Sequence, residues 1–86
     1  MLEREYMKDT IRDILYSVRP DGNFDQSDNF WEDGYLDSLD IMELIEALEK
    51  EYQTEIDLEY IKGSYFSSYD SIVKLINEVK NNEHGR

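Results

Sequence analysis

The chain has 86 residues, of which 40% are hydrophobic, and a formal net charge of −12. This length fits one small domain with a modest core, and no apolar run approaches the roughly 20 residues that span a bilayer. Cysteine is absent, which excludes disulfides and thiolate metal ligands. The first residues lack the apolar segment of a secretory signal. We therefore expect one cytoplasmic domain over residues 1–80 and a flexible tail over residues 81–86.

The negative charge is concentrated in the middle of the chain. Residues 31–60 hold eleven acids against one base, whereas residues 1–20 sum to zero and residues 61–86 sum to +1. A localised negative field argues against nucleic acid or an anionic membrane as a partner and favours basic proteins. A solvated acidic face that only aids solubility would give the same pattern. The sequence gives no clear basis for oligomerisation, so we expect a monomer without membrane insertion.

A first helix is predicted from Glu3 to Val18, because apolar residues recur at helical spacing until Pro20 and Gly22 stop the pattern. Its apolar residues are Met7, Ile11, Ile14, Leu15 and Val18. Residues 19–36 show no periodicity, and a loop this long is often functional. Its apolar side chains are expected to pin it to the helices; they are Phe24, Phe30, Trp31, Tyr35 and Leu36.

A second helix is predicted to begin near Ser38, with Asp37 as its N-cap and Asp40 adding favourable charge in the first turn. Its core stripe consists of Ile41, Leu44, Ile45, Leu48 and Tyr52. Residues 54–57 are expected to break this helix.

The rest of the chain predicts one short helical turn and a last helix. The turn lies near residues 58–61 and ends at Gly63, and the loop after it is lined by Tyr65, Phe66 and Tyr69. The last helix runs from about Asp70 to Lys80. Its buried side is formed by Ile72, Leu75, Ile76 and Val79. Three main helices, one short helix and a long loop between the first two main helices predict an all-α, small four-helix bundle.

Ser38 is expected to lie exposed at the start of the second helix. Free backbone N–H groups and the helix dipole favour anions at such an end. A phosphodiester on Ser38 would therefore be tolerated by the backbone, although Asp37 and Asp40 oppose it. Asp37 and Ser38 as simple capping residues explain the same local pattern.

Two apolar residues of the second helix fall outside its core stripe. At about 100° per residue, Leu39 and Met42 lie on the flank that Ser38 begins. Three acids share or border that flank: Glu43, Glu46 and Glu49. The acids can steer a basic partner while the two apolar residues supply a small dry contact. Burial of Leu39 under the long loop is the alternative.

The segment from Leu36 to Tyr52, which contains the run Asp37-Ser38-Leu39-Asp40, resembles the modification site and recognition helix of bacterial acyl carrier proteins. Glu55-Ile56 matches the acid–aliphatic pair that follows it, and the order of helices extends the resemblance to about residues 3–80. The resemblance implies that Ser38 carries a 4′-phosphopantetheine arm whose thiol holds an acyl group as a thioester. It assigns recognition of phosphopantetheinyl transferase and later partners to Asp37, Leu39, Asp40, Met42 and Glu43.

The same resemblance implies a carrier rather than an enzyme. Coenzyme A supplies the arm, an acyl or aminoacyl ligase or transferase loads it, and synthases of fatty-acid, polyketide or related biosynthesis receive the cargo. Two segments look more like D-alanyl carrier proteins: residues 30–38, and residues 60–72, a segment that is longer than in typical fatty-acid carriers. Leu39-Asp40 is the fatty-acid-type continuation. A D-alanyl or aminoacyl carrier is therefore the alternative.

Functions of other classes also fit parts of the sequence. An EF-hand-like calcium loop would use Asp21, Asn23, Asp25 and Glu32, but Gln26 stands where the loop needs glycine. An acidic helical interaction module would use the same face without the arm. A serine hydrolase fits poorly, since His84 is the only histidine and no nucleophile elbow surrounds Ser38.

Overall fold

The computed structural model describes the backbone of residues 2–84 and the side chains of residues 5–57 and 59–81. Within residues 2–84 there is no β-strand, and the three α-helices are α1 (Leu2–Val18), α2 (Ser38–Tyr52) and α3 (Tyr69–His84). Short 3₁₀ helices lie between them, at Phe24–Gln26, Leu58–Tyr60 and Gly63–Phe66. The prediction of a small all-α bundle is confirmed.

Two boundaries differ from the sequence-based prediction. Between α2 and α3 there are two 3₁₀ turns instead of one, and the second begins at Gly63, where the helical turn was expected to end. Its last residue, Phe66, is fully buried, so this segment packs into the core instead of forming an open loop. The last helix continues past Lys80 to His84, because a helix can extend beyond its apolar stripe. Flexibility of the tail stays a prediction, and residues 85–86 lie outside the described residues.

One hydrophobic core joins the three α-helices and the loop of residues 19–37, called here the long loop. Fully buried side chains come from all four parts: Ile11, Leu15, Leu44, Leu48, Ile72, Ile76, Phe24 and Phe30. The predicted stripes of the three helices are confirmed, although Ile14, Val18 and Tyr52 are only half-buried.

Aromatic rings hold the long loop against the bundle. The ring of Phe24 meets Tyr16 of α1 edge-on at 5.1 Å and Phe30 at 4.9 Å. Phe30 in turn packs edge-on against Tyr69 at 5.2 Å. Such edge-to-face pairs are favourable beyond the area they bury. The expectation that aromatic residues pin the loop is confirmed for Phe24 and Phe30.

Hydrogen bonds tie the same loop to the start of α3. The Phe30 N–H donates to the Ser67 carbonyl at 2.8 Å, and the Tyr69 hydroxyl donates to the Asp25 carboxylate at 2.7 Å. Burial, and then this carboxylate, raises the pKa of Tyr69. Trp31 departs from the prediction, since it is 40% exposed. The long loop is thus fixed both to α1 and to the start of α3.

Trp31 lies against the backbone of Gly63, and this contact generates a test of how the loops pack. A Cβ added at Gly63 would lie 2.8 Å from the indole ring, so Gly63→Ala should push the indole outward. We expect a red-shifted Trp31 emission maximum and an unfolding midpoint lowered by a few degrees. Ser64→Ala, an exposed neighbour, is the matched control. An unchanged emission spectrum in Gly63→Ala would contradict this packing.

Candidate functional site

Ser38 is the first residue of α2 and is exposed to solvent. The residues on either side form a reciprocal capping box. The Asp40 N–H donates to the Asp37 carboxylate at 2.9 Å, and the Asp37 N–H donates to the Asp40 carboxylate at 3.1 Å. Among the described residues, none forms a hydrogen bond with the Ser38 hydroxyl. A fixed first turn therefore presents a free hydroxyl group to solvent.

A cation from outside α2 enters this capping box. Arg19 Nη1 donates to the Asp40 carboxylate at 2.8 Å, and Arg19 Nε donates to Asp21 at 3.1 Å. The Asp40 side chain is only 14% exposed. The Asp40 N–H holds the pKa of Asp37 below its ordinary value, and the Arg19 guanidinium does the same for the pKa of Asp21. Ser38 therefore lies between two engaged carboxylates.

The exposed flank of α2 is present as the helical spacing predicts. Leu39 is 76% exposed and Met42 is 50% exposed, so burial of Leu39 under the long loop was the wrong alternative. Glu43 and Glu46 are also exposed. We call these four residues the acidic–apolar flank. It combines carboxylates with unburied aliphatic surface immediately after Ser38.

Asp40 differs from the other residues that the sequence assigns to partner contacts. Its carboxylate is largely covered and bonded to Arg19 and to the Asp37 N–H, whereas Asp37 is exposed. Sequence reasoning missed Arg19 because its partner lies 21 residues away. The available signal was that Arg19 is the last base before Lys50, in front of a strongly acidic segment.

The far end of α2 is fixed by different groups. The Glu49 carboxylate accepts the Ile56 N–H at 2.8 Å, and Lys80 Nζ donates to the Tyr52 carbonyl at 2.8 Å. Gln53 closes the helix in the left-handed conformation, with φ of 52°. Glu49 therefore shapes the turn after α2, while the acidic–apolar flank keeps its carboxylates in solvent.

The carboxylates of the proposed calcium loop have other partners. Asp21 pairs with Arg19, and Asp25 accepts the Tyr69 hydroxyl. Within the part of the chain that the structure describes, no three His, Cys, Asp or Glu side chains are gathered where they could hold a metal ion. The side chain of His84, which a hydrolase would need, lies outside the described residues. The described residues of the predicted calcium loop are thus not gathered into a metal site.

The comparisons with known proteins give one match. The family model described as "Phosphopantetheine attachment site" matches residues 5–79, a range that contains Ser38, α2 and the long loop. No curated protein and no solved structure matches significantly. Separately, no helix within residues 2–84 is both long and apolar enough to cross a membrane.

The lowered pKa of Asp37 predicts how the capping box responds to acid. A carboxylate whose pKa is lower in the folded state stabilises the protein above its unfolded pKa, about 3.9, and this contribution is lost as the pH falls through the folded pKa. Asp37→Asn should therefore be less stable than wild type at pH 7, and the difference should shrink below about pH 4. Denaturant unfolding across pH measures it.

Asp13→Asn, which removes an exposed acid of α1, is the control for the loss of one carboxylate outside the capping box. A stability difference for Asp37→Asn that stays constant from pH 7 to pH 3 would show that the Asp37 charge does not support the cap.

Proposed function

Since the chain belongs to the phosphopantetheine-attachment family, whose domains bear a covalently attached 4′-phosphopantetheine, we propose that Ser38 is the residue that carries this arm. The observation that carries the proposal is the exposed Ser38 hydroxyl at the capped start of α2. The backbone N–H groups and dipole of that helix end favour the phosphate group of the arm. Exposure allows a transferase to reach the hydroxyl.

The attachment step replaces the pyrophosphate bond of coenzyme A with a phosphate ester bond to Ser38. The Ser38 oxygen bonds to the phosphorus next to the pantetheine of coenzyme A, the pyrophosphate bond breaks, and adenosine 3′,5′-bisphosphate leaves. The serine proton passes to a base of a Mg²⁺-dependent phosphopantetheinyl transferase. Asp37 is a weak candidate for that base because the Asp40 N–H lowers its pKa, and the Asp40 carboxylate is already bonded to Arg19 and to the Asp37 N–H. Catalysis thus belongs to the transferase.

Domains of this family carry cargo and do not catalyse reactions on it, and we propose the same role for this chain. The chain has no cysteine, so the thiol that bears the cargo comes with the arm. The arm accepts an acyl or aminoacyl group as a thioester and presents it to other enzymes. Tethering raises the effective concentration of the cargo at a docked partner.

The acidic–apolar flank is the surface that we propose for docking. Residues 31–60 carry eleven acids and one base, and a field of this sign attracts basic partners and accelerates their encounter. Leu39 and Met42 are exposed among these charges. They can supply the apolar centre of a small interface whose rim is acidic.

For the cargo we propose an acyl group of fatty-acid, polyketide or related biosynthesis. A D-alanyl or other aminoacyl group is the second candidate, and one observation favours it. The two segments that resemble D-alanyl carriers, residues 30–38 and 60–72, are in contact where Trp31 packs against Gly63. Charging the holo protein with an acyl ligase and with a D-alanine ligase separates the two cargo classes.

The proposed attachment predicts a change of intact mass. Incubation with coenzyme A, Mg²⁺ and a broad-specificity phosphopantetheinyl transferase should add one phosphopantetheinyl unit to wild type and none to Ser38→Ala. Ser17→Ala, which removes another exposed serine, is the control and should be loaded normally. Loading of Ser38→Ala would place the arm elsewhere. No loading of wild type by several transferases would favour the interaction module without an arm.

The docking proposal predicts a charge-dependent encounter. Glu43→Lys should lower the association rate with the transferase roughly threefold to tenfold at low salt, and less at high salt where charges are screened. Stopped-flow binding measures this rate. Glu78→Lys makes the same charge change on the exposed side of α3 and should have a smaller effect. Equal effects of the two variants would contradict docking at the acidic–apolar flank.

A further inference from the structure

Arg19 connects the end of α1 to the first turn of α2. Its backbone N–H donates to the Leu15 carbonyl at 2.8 Å, so its main chain is held by α1. Its guanidinium donates to the Asp40 carboxylate oxygen that also accepts the Asp37 N–H. Ser38 lies between Asp37 and Asp40 in the chain. The Arg19 side chain therefore joins the turn that presents Ser38 to the end of α1.

The geometry of this arginine is fixed on two sides. Nη1 bonds Asp40 at 2.8 Å while Nε and Nη2 bond the two oxygens of Asp21 at 3.1 and 3.5 Å. A planar guanidinium that meets two carboxylates has little freedom to rotate. The Arg19 and Asp40 side chains are only 27% and 14% exposed. Salt therefore screens this pair less than it screens surface pairs.

Arg12, a surface arginine within α1, gives a contrast. Arg12 approaches Asp9 at 3.4 Å and Asp25 at 4.0 Å, and its side chain is 45% exposed. Such exposed pairs contribute little to stability. Arg12 lies within α1 and Arg19 directly follows it, and both carry the same charge, but of the two only Arg19 reaches the capping box around Ser38.

We propose that Arg19 is a positioning residue for phosphopantetheine transfer, an inference that rests on the proposed attachment at Ser38. Acting through Asp40, Arg19 holds the first turn of α2 in the orientation in which the Ser38 hydroxyl meets the phosphate of coenzyme A. It also offsets the negative charge of Asp40 beside that phosphate. Since reactive geometry is sensitive to small displacements, loosening this turn slows transfer even when docking is intact.

A positioning role and a docking role of Arg19 predict changes in different kinetic parameters of Arg19→Gln. Loss of one positive charge changes the net charge from −12 to −13, which strengthens attraction to a basic transferase. A docking effect alone would therefore lower KM and leave kcat unchanged. Loss of positioning lowers kcat, because the bound Ser38 hydroxyl is presented less often in the reactive orientation.

The test is steady-state loading of full-length Arg19→Gln by a phosphopantetheinyl transferase, with Arg12→Gln as the control of equal charge. We expect kcat to fall about threefold to tenfold in Arg19→Gln, a loss that lies within the coupling energies of contacting side chains, with KM unchanged or lower. Arg12→Gln should keep the wild-type kcat. In an Asp40→Asn background, adding Arg19→Gln should lower kcat little further, because the partner of Arg19 is already removed.

A second measurement reports the stability of the first turn of α2 without the transferase. Amide hydrogen exchange at Asp40, whose N–H is bonded to Asp37, should be faster in Arg19→Gln than in Arg12→Gln or wild type. Circular dichroism and thermal unfolding verify that each variant is folded.

Two outcomes would overturn the inference while leaving the attachment site intact. One is normal loading of wild type with an unchanged kcat in Arg19→Gln. The other is a loss of kcat that is as large in the Asp40→Asn background as in wild type. Failure of wild type to load would instead refute the proposed function, and with it the loading role of Arg19. Amide exchange would then still decide whether Arg19 fixes the turn.

Discussion

The capped start of α2 is the constraint on which the rest of this structure depends. Asp37 and Asp40 satisfy each other's backbone N–H groups, and Arg19 ties Asp40 to the end of α1. These bonds settle where the helix begins, and its apolar residues Ile41 and Leu44 then point into the core. A helix that began one residue later would make Ser38 the N-cap residue and remove it from the first helical turn.

The long loop, which precedes α2, supports that constraint by packing against α1 and α3. Phe24 and Phe30 are fully buried, and the Phe30 N–H bonds the carbonyl of Ser67 just before α3. The loop, whose one assigned helix among the described residues is the short 3₁₀ helix Phe24–Gln26, is therefore held in place and leads into the first turn of α2. At the opposite end, Lys80 holds the last carbonyl of α2. A rigid helix can thus offer both a serine at its tip and a docking flank along its side.

Local patterns in the sequence predicted most of this architecture. The apolar periodicity located α1, α2 and the buried side of α3, and Asp37-Ser38 marked the start of α2. Features that depend on distant partners were not predictable: the Arg19–Asp40 pair spans 21 residues. The turn at Gly63–Phe66 was missed because its order comes from burial of Phe66 and from Trp31 lying against Gly63. The extension of α3 to His84 was missed because polar residues continue a helix without an apolar signal.

The central claim is that this carrier domain bears its arm on Ser38. Fragmentation mass spectrometry of the holo protein, after proteolysis and with the phosphate ester preserved, locates the modified residue most directly. We expect a phosphopantetheinyl group on the peptide that contains Ser38, with fragment ions that place it on that residue. A modified peptide from any other part of the chain, with Ser38 unmodified, would contradict attachment at Ser38.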